Sequence, residues 1–388
     1  MPAWCLRFGT VPSERRSRTD SALRDYARDL CDKGVAAGLS RVGIAPAQPF
    51  QRARVAIEDR NVRGLSDSMQ FTFRNPRRST TPSMLVPGAR SIVVGAVAYF
   101  EESPERPENA IADVARYAWR DTYGRLRAAL SVVADELKSV GHRATVVADE
   151  NSLVDREAAY LAGLGWYGKN ANLLLPGSGS WFVLGGVITD AVLPTNEPVA
   201  DGCGSCRRCL DSCPTGAIIE PGVIDAAKCL AWVIQKPGII ATELREAIGA
   251  RIYGCDDCQT ACPPSIRSSR ESSENFHGAD DPDAFVDPVA ILHMADAEIL
   301  ARYGRWYIHD RDPRWVRRNA LVVLGNVANG SDPAVRDIVD ECLKSSDAVI
   351  RAHAVWAAGR LGLSDLLPDS DTDADVRREL LSLPTPRA

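Results

Sequence analysis

No stretch of this chain is apolar enough for long enough to form a membrane helix. The longest candidate, Ser91 to Phe100, is strand-sized, well short of the roughly 18 residues a bilayer span requires. Export signals are missing too: Arg7, Arg15, Arg16 and Arg18 have no apolar h-region behind them, so neither a secretory nor a twin-arginine leader is expected. Residues 1–20 read as a disordered extension and the protein as cytoplasmic. An excess of positive charge is also absent. With a formal net charge of −5, any nucleic-acid partner has to be met by a local basic surface and not by a global field.

What the sequence does have is cysteine in a pattern. Cys203-Gly-Ser-Cys206-Arg-Arg-Cys209-Leu-Asp-Ser-Cys213-Pro214 places four thiols at spacings of two, two and three residues before a proline. The first three can converge on one cubane face, while the fourth, carried away by the next turn, serves a different cluster. A second run, Cys255-Asp-Asp-Cys258-Gln-Thr-Ala-Cys262-Pro263, lacks the first cysteine of that pattern, and Cys229 between the runs supplies the missing member. The pseudo-twofold logic of two-cluster ferredoxins assigns Cys203, Cys206, Cys209 and Cys262 to one 4Fe–4S cluster. It assigns Cys213, Cys229, Cys255 and Cys258 to the other. Zinc is the bland alternative, but three equally spaced cysteines followed by Cys-Pro exceed what a tetrahedral ion needs. The remaining cysteines, Cys5, Cys31 and Cys342, are scattered, and without an export signal disulfides are not expected.

At 388 residues the chain is long enough for two or three domains with a real core. Helical spacing over 21–37 and 50–62 brackets a short strand at Arg41–Ala45, and 67–78 reads as a loop gathering Arg74, Arg77 and Arg78. Ser91–Tyr99 is a β-branched run typical of a buried strand. Leu126, Leu130, Val133 and Leu137 share one face of a long helix that Gly141 ends, and Ala144–Ala148 is the next strand. Asp149 stands where that strand stops; there a carboxylate is more often a turn or cap residue than a catalyst. A helix containing Arg156 follows, then Gly163–Asn170 and a Gly-Ser-Gly-Ser turn leading into the strand Trp181–Thr189. Glycines around Trp166 allow close backbone approach to a planar ligand, and Lys169 and Asn170 could bond its polar edge. The segment matches neither phosphate-cradling fingerprint, G-x-G-x-x-G or G-x-x-x-x-G-K-S/T. Alternating strands and helices up to residue 190 support an α/β domain.

Helices are expected at 226–234 and 242–250 between the cysteine runs, then an acidic linker over 268–288. Beyond it, Arg317, Asn319, Ala320, Leu321, Leu324 and Gly325 are echoed 34 residues later by Arg351, His353, Ala354, Val355, Ala358 and Gly359. That period reads as a HEAT-like helix-pair repeat, usually a docking surface. Arg302, Arg305, Arg311, Arg314, Arg317 and Arg318 are interleaved with Trp306, Tyr307 and Trp315. Such a mixture suits phosphate contact with base stacking, or else a solvated helix face with Trp315 packed inward.

Taken together, Asp149, Arg156, Ala162-Gly-Leu-Gly-Trp166, Gly168-Lys169, Gly179-Ser180-Trp181, the eight clustered cysteines, Arg251-Ile-Tyr-Gly-Cys255 and Arg318-Asn319…Leu324-Gly325-Asn326 resemble the epoxyqueuosine reductase family over roughly residues 21–329. The resemblance implies a nitroreductase-like α/β cobalamin-binding domain (21–200), a ferredoxin-like two-cluster domain (201–267), a linker (268–288) and a helical HEAT-like tRNA-docking domain (289–388). It implies two 4Fe–4S clusters and cobalamin as cofactors, and Asp149 as proton donor. Arg156, Gly165, Trp166, Gly168, Lys169, Asn170, Ser180 and Trp181 are the expected cobalamin contacts. Arg302, Arg305, Arg314, Trp315, Arg317 and Arg318 are the candidate contacts to a tRNA anticodon stem-loop. The expected partners are that RNA and an electron donor the sequence does not identify; no membrane is involved and the protein is expected to be a monomer. No histidine lies in the Asp-x-His-x-x-Gly context that supplies an axial imidazole in some corrinoid proteins, which agrees with the open lower face the resemblance implies. One stretch departs from the family: Tyr117-Ala-Trp-Arg-Asp-Thr-Tyr-Gly124 stands where members carry Tyr-Ala-x-Gly-x-Asp-Tyr-His. A paralogue with another substrate, a small-molecule corrinoid reductase similar to reductive dehalogenases, and a simple electron-transfer module are the competing readings.

Overall fold

The computed structural model describes residues 18–108, 111–272 and 282–383. Residues 1–17 of the expected N-terminal extension and 273–281 of the acidic linker lie outside them, while Arg18 opens a helix, 268–272 end the helix Pro263–Ser272 and Phe285–Val286 is a strand. Two compact units are woven from alternating segments of the chain. The first takes the described parts of Met1–Glu102, Arg120–Ala226 and Asp257–Phe276; the second takes those of Ser103–Trp119, Ala227–Asp256 and His277–Ala388. Of the 201–267 stretch, residues 201–226 and 257–267 belong to the first unit and 227–256 to the second. Among the described residues no helix is long and apolar enough to cross a membrane.

The first unit is built on four strands, β1 (Arg41–Pro46), β2 (Ser91–Ala98), β3 (Ala144–Ala148) and β4 (Phe182–Thr189), ordered β1-β2-β4-β3 with every neighbour antiparallel. Helices α1 (Arg18–Ala36) and α3 (Thr122–Ser139) cover one face. Leu130 of α3 comes so close to Gly95 of β2 and Gly185 of β4 that a Cβ at either would lie within 3.2 Å of it. Helices α2 (Gln51–Val62) and α4 (Asp155–Leu161) belong to the opposite face, where Phe50, Ala53, Ala158 and Ala159 pack with Ile92, Val94 and Leu184. Covering on both sides makes β2 and β4 apolar at nearly every position although the sheet is antiparallel. The α3 stripe is fully buried at Leu126, Leu130, Val133 and Leu137. Asp121 caps it by accepting from the Gly124 N–H at 2.8 Å, and Gly141, with φ 91°, follows its end. Part of the expected 67–78 loop is helical at Phe71–Arg74 and Pro76–Ser79, because Asn75 caps the second turn by accepting from Arg78 N–H.

In the second unit, strand Ala112–Val114 pairs parallel with Arg251–Tyr253 and antiparallel with Phe285–Val286. The helix expected over 226–234 shrinks to Leu230–Val233, and α5 (Thr242–Ile248) follows it. The C-terminal part is helical: α6 (Arg314–Val327), α7 (Pro333–Leu343), α8 (Ala348–Leu361) and α9 (Ala374–Ser382). Helices α6 and α8 have the same 14-residue length and stand in the 34-residue register read from the sequence. Glycines recur at the same place because neighbours press there: a Cβ on Gly325 would lie 2.5 Å from the Trp356 ring, and one on Gly359 would lie 2.4 Å from Leu383. Gly325→Val is thus expected to lower stability by about 1–3 kcal/mol through overpacking. An unchanged thermal midpoint in that variant would show the interface to be looser than these distances indicate.

Candidate active site and cluster loops

Short-range geometry gathers the first thiol set. Cys206 N–H closes a turn onto Cys203 O at 3.1 Å, with Gly204 at φ 49°, and Cys209 rides on the helical turn Arg208–Asp211. Cys262 comes from the other run, just ahead of the helix Pro263–Ser272. Burial pushes the Cys209 thiol up, and Cys262, Cys203 and Cys206 beside it push in the same direction. Burial likewise raises Cys262, with Cys203 and Cys206 adding to the shift and hydrogen bonds from Ser265 opposing it. Thiols gathered in this way form a donor set suited to a bound metal cluster, which takes them as thiolates. Among the described residues no three His, Cys, Asp or Glu side chains converge tightly enough for a single metal ion; a cubane takes its thiolates on separate irons and spaces them more widely. In the same unit the Ala217 N–H points at Cys213 Sγ, 3.2 Å away, the kind of contact that tunes cluster potential.

The hairpin Trp166–Tyr167/Leu173–Leu174 presses against these loops. At its turn Lys169 Nζ donates to Gly204 O (2.6 Å) and Cys206 O (2.9 Å), and buried Asn170 donates to Cys258 O at 3.1 Å. Ala171 closes the turn in the left-handed region at φ 60°, a strained conformation for a residue with a Cβ. Ser180 N–H donates to Ser265 Oγ, Trp181 Nε1 donates to Ser265 O at 3.2 Å, and Gln259 Nε2 donates to Tyr99 Oη and Ser180 O. These contacts involve four of the residues expected around cobalamin. The side-chain donors of Lys169 and Asn170, the buried Ser180 and the Trp181 indole are committed to holding the cluster loops. Gly165 and Gly168 are glycines for internal reasons, since a Cβ would sit 2.2 Å from Leu174 O and 2.7 Å from Asn170 Oδ1 respectively. Trp166 and Arg156 remain. The Trp166 indole N–H is buried without a partner among the described residues, and Arg156 is exposed with a long contact to Ala171 O at 3.4 Å.

Lys169→Met is expected to loosen the Cys203–Cys206 turn by freeing two carbonyls. It should move the reduction potential of the first cluster while leaving the second unchanged. An identical pair of potentials in an anaerobic EPR titration would remove Lys169 from that role.

Asp149 sits directly after β3 with φ 56°, a conformation Asp tolerates better than most side chains. Although the residue reaches solvent, desolvation of its carboxyl raises the pKa above the ordinary carboxylate range; Arg127 opposes this, while Asp155 and Glu150 reinforce it. Arg127 is anchored by donating to Ala148 O at 3.1 Å. Burial also raises Asp155, one residue before Arg156. The sequence did not single out Glu157, a buried carboxylate that accepts from Arg52 (2.6 and 3.1 Å) and from Tyr167 Oη (3.1 Å). Its partner in α2 is 105 residues away, beyond any local signal.

The candidate nucleic-acid residues divide. Arg302 and Arg314 are exposed; Arg314 pairs with Asp312 and Asp347 and stacks toward Trp315. Arg317 is held by Asp296 and Met294 O, and Arg305 donates to Ala118 O and Trp119 O and pairs with Asp283. Arg318 is corrected outright. It is 0 % exposed, with its guanidinium spent on backbone carbonyls and on Asn319, so it cannot touch an RNA.

A helix-covered antiparallel sheet, a converging four-thiol loop pair and a carboxyl whose pKa is raised by desolvation define an iron–sulfur oxidoreductase. Residues 202–265 match the family described as a 4Fe-4S double cluster binding domain, and residues 79–150 match Epoxyqueuosine reductase QueG, DUF1730. The epoxyqueuosine reductase of Bacillus cereus is 31% identical over 343 residues, covering 84% of this chain and 86% of the relative. An epoxyqueuosine reductase crystallised with an epoxyqueuosine-modified tRNA-Tyr stem loop superposes with a TM-score of 0.82 at 28% identity, over 92% of this chain and 98% of that one. The Bacillus subtilis enzyme, solved with its catalytic aspartate loop swung out of the active site, gives 0.81 at 28% identity over the same shares. The chain belongs to the epoxyqueuosine reductase family.

Proposed function

We propose that this protein reduces epoxyqueuosine to queuosine at the wobble position of a tRNA anticodon. Removing the epoxide oxygen as water consumes two electrons and two protons. When bound, two 4Fe–4S clusters supply electrons singly and cobalamin supplies the reduced metal centre that meets the substrate carbon. The chain's own part is to seat these groups and to deliver protons. Cys203, Cys206, Cys209 and Cys262 would hold one cluster, and Cys213, Cys229, Cys255 and Cys258 the other. Trp166, whose buried indole N–H has no partner among the described residues, and Arg156 are the residues that fit the corrin periphery. Asp149, its pKa raised by desolvation toward that of a usable general acid, donates a proton to the leaving oxygen.

The observation that carries this reading is the turn Lys169–Ala171 of the first unit, where Lys169 donates to the carbonyls of the first cluster loop and Arg156 of α4 reaches Ala171 O. A swung-out catalytic aspartate loop in the Bacillus subtilis relative supports a mobile role for the Asp149 turn. The 34-residue register of α6 and α8 supports a HEAT-like repeat that docks the anticodon stem-loop through Arg302, Arg314 and Trp315. The sheet sandwiched by helices supports a nitroreductase-like cobalamin domain. A monomer in the cytoplasm, fed by a separate electron donor, completes the reading.

A second reading, a paralogue with the same cofactors and another substrate, is favoured by Gly124. Here a glycine stands where the family carries a histidine, and a Cβ at that position would lie 2.2 Å from Asp121 Oδ2 of the α3 cap as it is placed. Anaerobic reconstitution with clusters and cobalamin, a chemical reductant and an epoxyqueuosine-bearing anticodon stem-loop decides between the two. Queuosine should form. Cobalamin binding without conversion selects the paralogue.

A further inference from the structure

The buried polar side chains of the second unit converge on one segment, residues 234–252, flanked by Cys229 and Cys255. Cys229 N-caps the short helix Leu230–Val233. The carbonyls at and beyond the end of that helix are taken up by Arg318: Ile234 O at 2.8 Å, Lys236 O at 2.6 Å and Gly238 O at 2.9 Å. Asn319 Nδ2 donates both to Ile234 O (3.0 Å) and to Ile252 O (3.1 Å), three residues before Cys255. Its Oδ1 accepts from Arg318 Nε and Nη2, so the two side chains act as one piece. His353, the counterpart of Asn319 one repeat later, accepts from Ile240 N–H at 3.2 Å, and its Nδ1 hydrogen goes to Val349 O. Asn326 holds Arg245 O and Gly249 O at the far end of α5.

Two features show that this is more than a packed loop. Asn319 bridges the segment leaving Cys229 and the strand entering Cys255. Arg318, fully buried, makes no ion pair among the described residues, and a buried cation without a carboxylate normally carries a heavy desolvation penalty. Burial, with Arg245 nearby, lowers its pKa to about 9. An anionic thiolate-ligated cluster at the two cysteines would offset that charge.

We propose that the repeat helices α6 and α8 are the seat of the second cluster, with Arg318 and Asn319 as positioning residues that hold the segments of Cys229 and Cys255 in register. The proposal rests on the reading of those cysteines as second-cluster ligands. Full-length Arg318→Lys, which loses the guanidinium fork, and Asn319→Asp, which sets a carboxylate oxygen against two carbonyls in place of the amide donor, are compared with the unmutated protein after anaerobic reconstitution. Iron and cluster-resolved EPR potentials are read. The unmutated chain should hold about eight irons, four for each cluster; about four would sink the two-cluster reading itself. In the variants, the signal that Cys255→Ser abolishes should disappear, with iron falling to about four, or shift in potential alone, while the signal abolished by Cys206→Ser stays in place. Loss or shift of both signals, of the first only, or of neither overturns the assignment.

Discussion

Asp149→Asn is expected to keep both clusters and to bind cobalamin, yet to lose turnover by about 10²- to 10⁴-fold, the usual contribution of a positioned general acid. The amide preserves shape and the capacity to sit at φ 56°, but it has no proton to give. The direction of the pKa shift sets the pH dependence. Asp149 is raised by desolvation, so its acid form predominates below that raised value, and single-turnover rate should fall as pH rises through it. The variant should lack that limb. The linked stability term has the same sign: it is fully present below the unfolded pKa and lost as pH climbs through the folded one. An Asp149→Asn enzyme with full rate, or one that retained the alkaline limb, would move the proton-donor role elsewhere.

Cys262→Ser is the second large effect. Because Cys262 shares its environment with Cys203, Cys206 and Cys209, its loss should abolish the same EPR signal as Cys206→Ser. Iron should drop from about eight to about four. Turnover should fall to background, since either cluster is a necessary station for single electrons. Were each cysteine run to serve its own cluster, Cys262→Ser and Cys206→Ser would abolish different signals, and the interleaved arrangement would have to be abandoned.

Much of this molecule is decided within a turn or two of chain. The spacing of Cys203, Cys206 and Cys209, the stripe Leu126–Leu130–Val133–Leu137 and the 34-residue echo of α6 in α8 depend on covalent distance and helical period, and the structure repeats them. Position alone shows Asp149 as a residue at a strand end, and it is the family resemblance that implies a proton donor there; its raised pKa depends on the surroundings that desolvate it. Lys169 and Asn170 read as ligand contacts because polar groups on a glycine-rich turn point somewhere, and their targets, Cys206 and Cys258, lie 37 and 88 residues further on. Arg318 read as surface because arginine usually is. Only the placement of α6 against the 234–252 segment, where several carbonyls would otherwise be buried without donors, turned it inward. Local order follows from bond geometry and side-chain period, whereas the choice among distant partners follows from the need to satisfy every buried polar group at once, a condition that exists only after the chain has closed on itself.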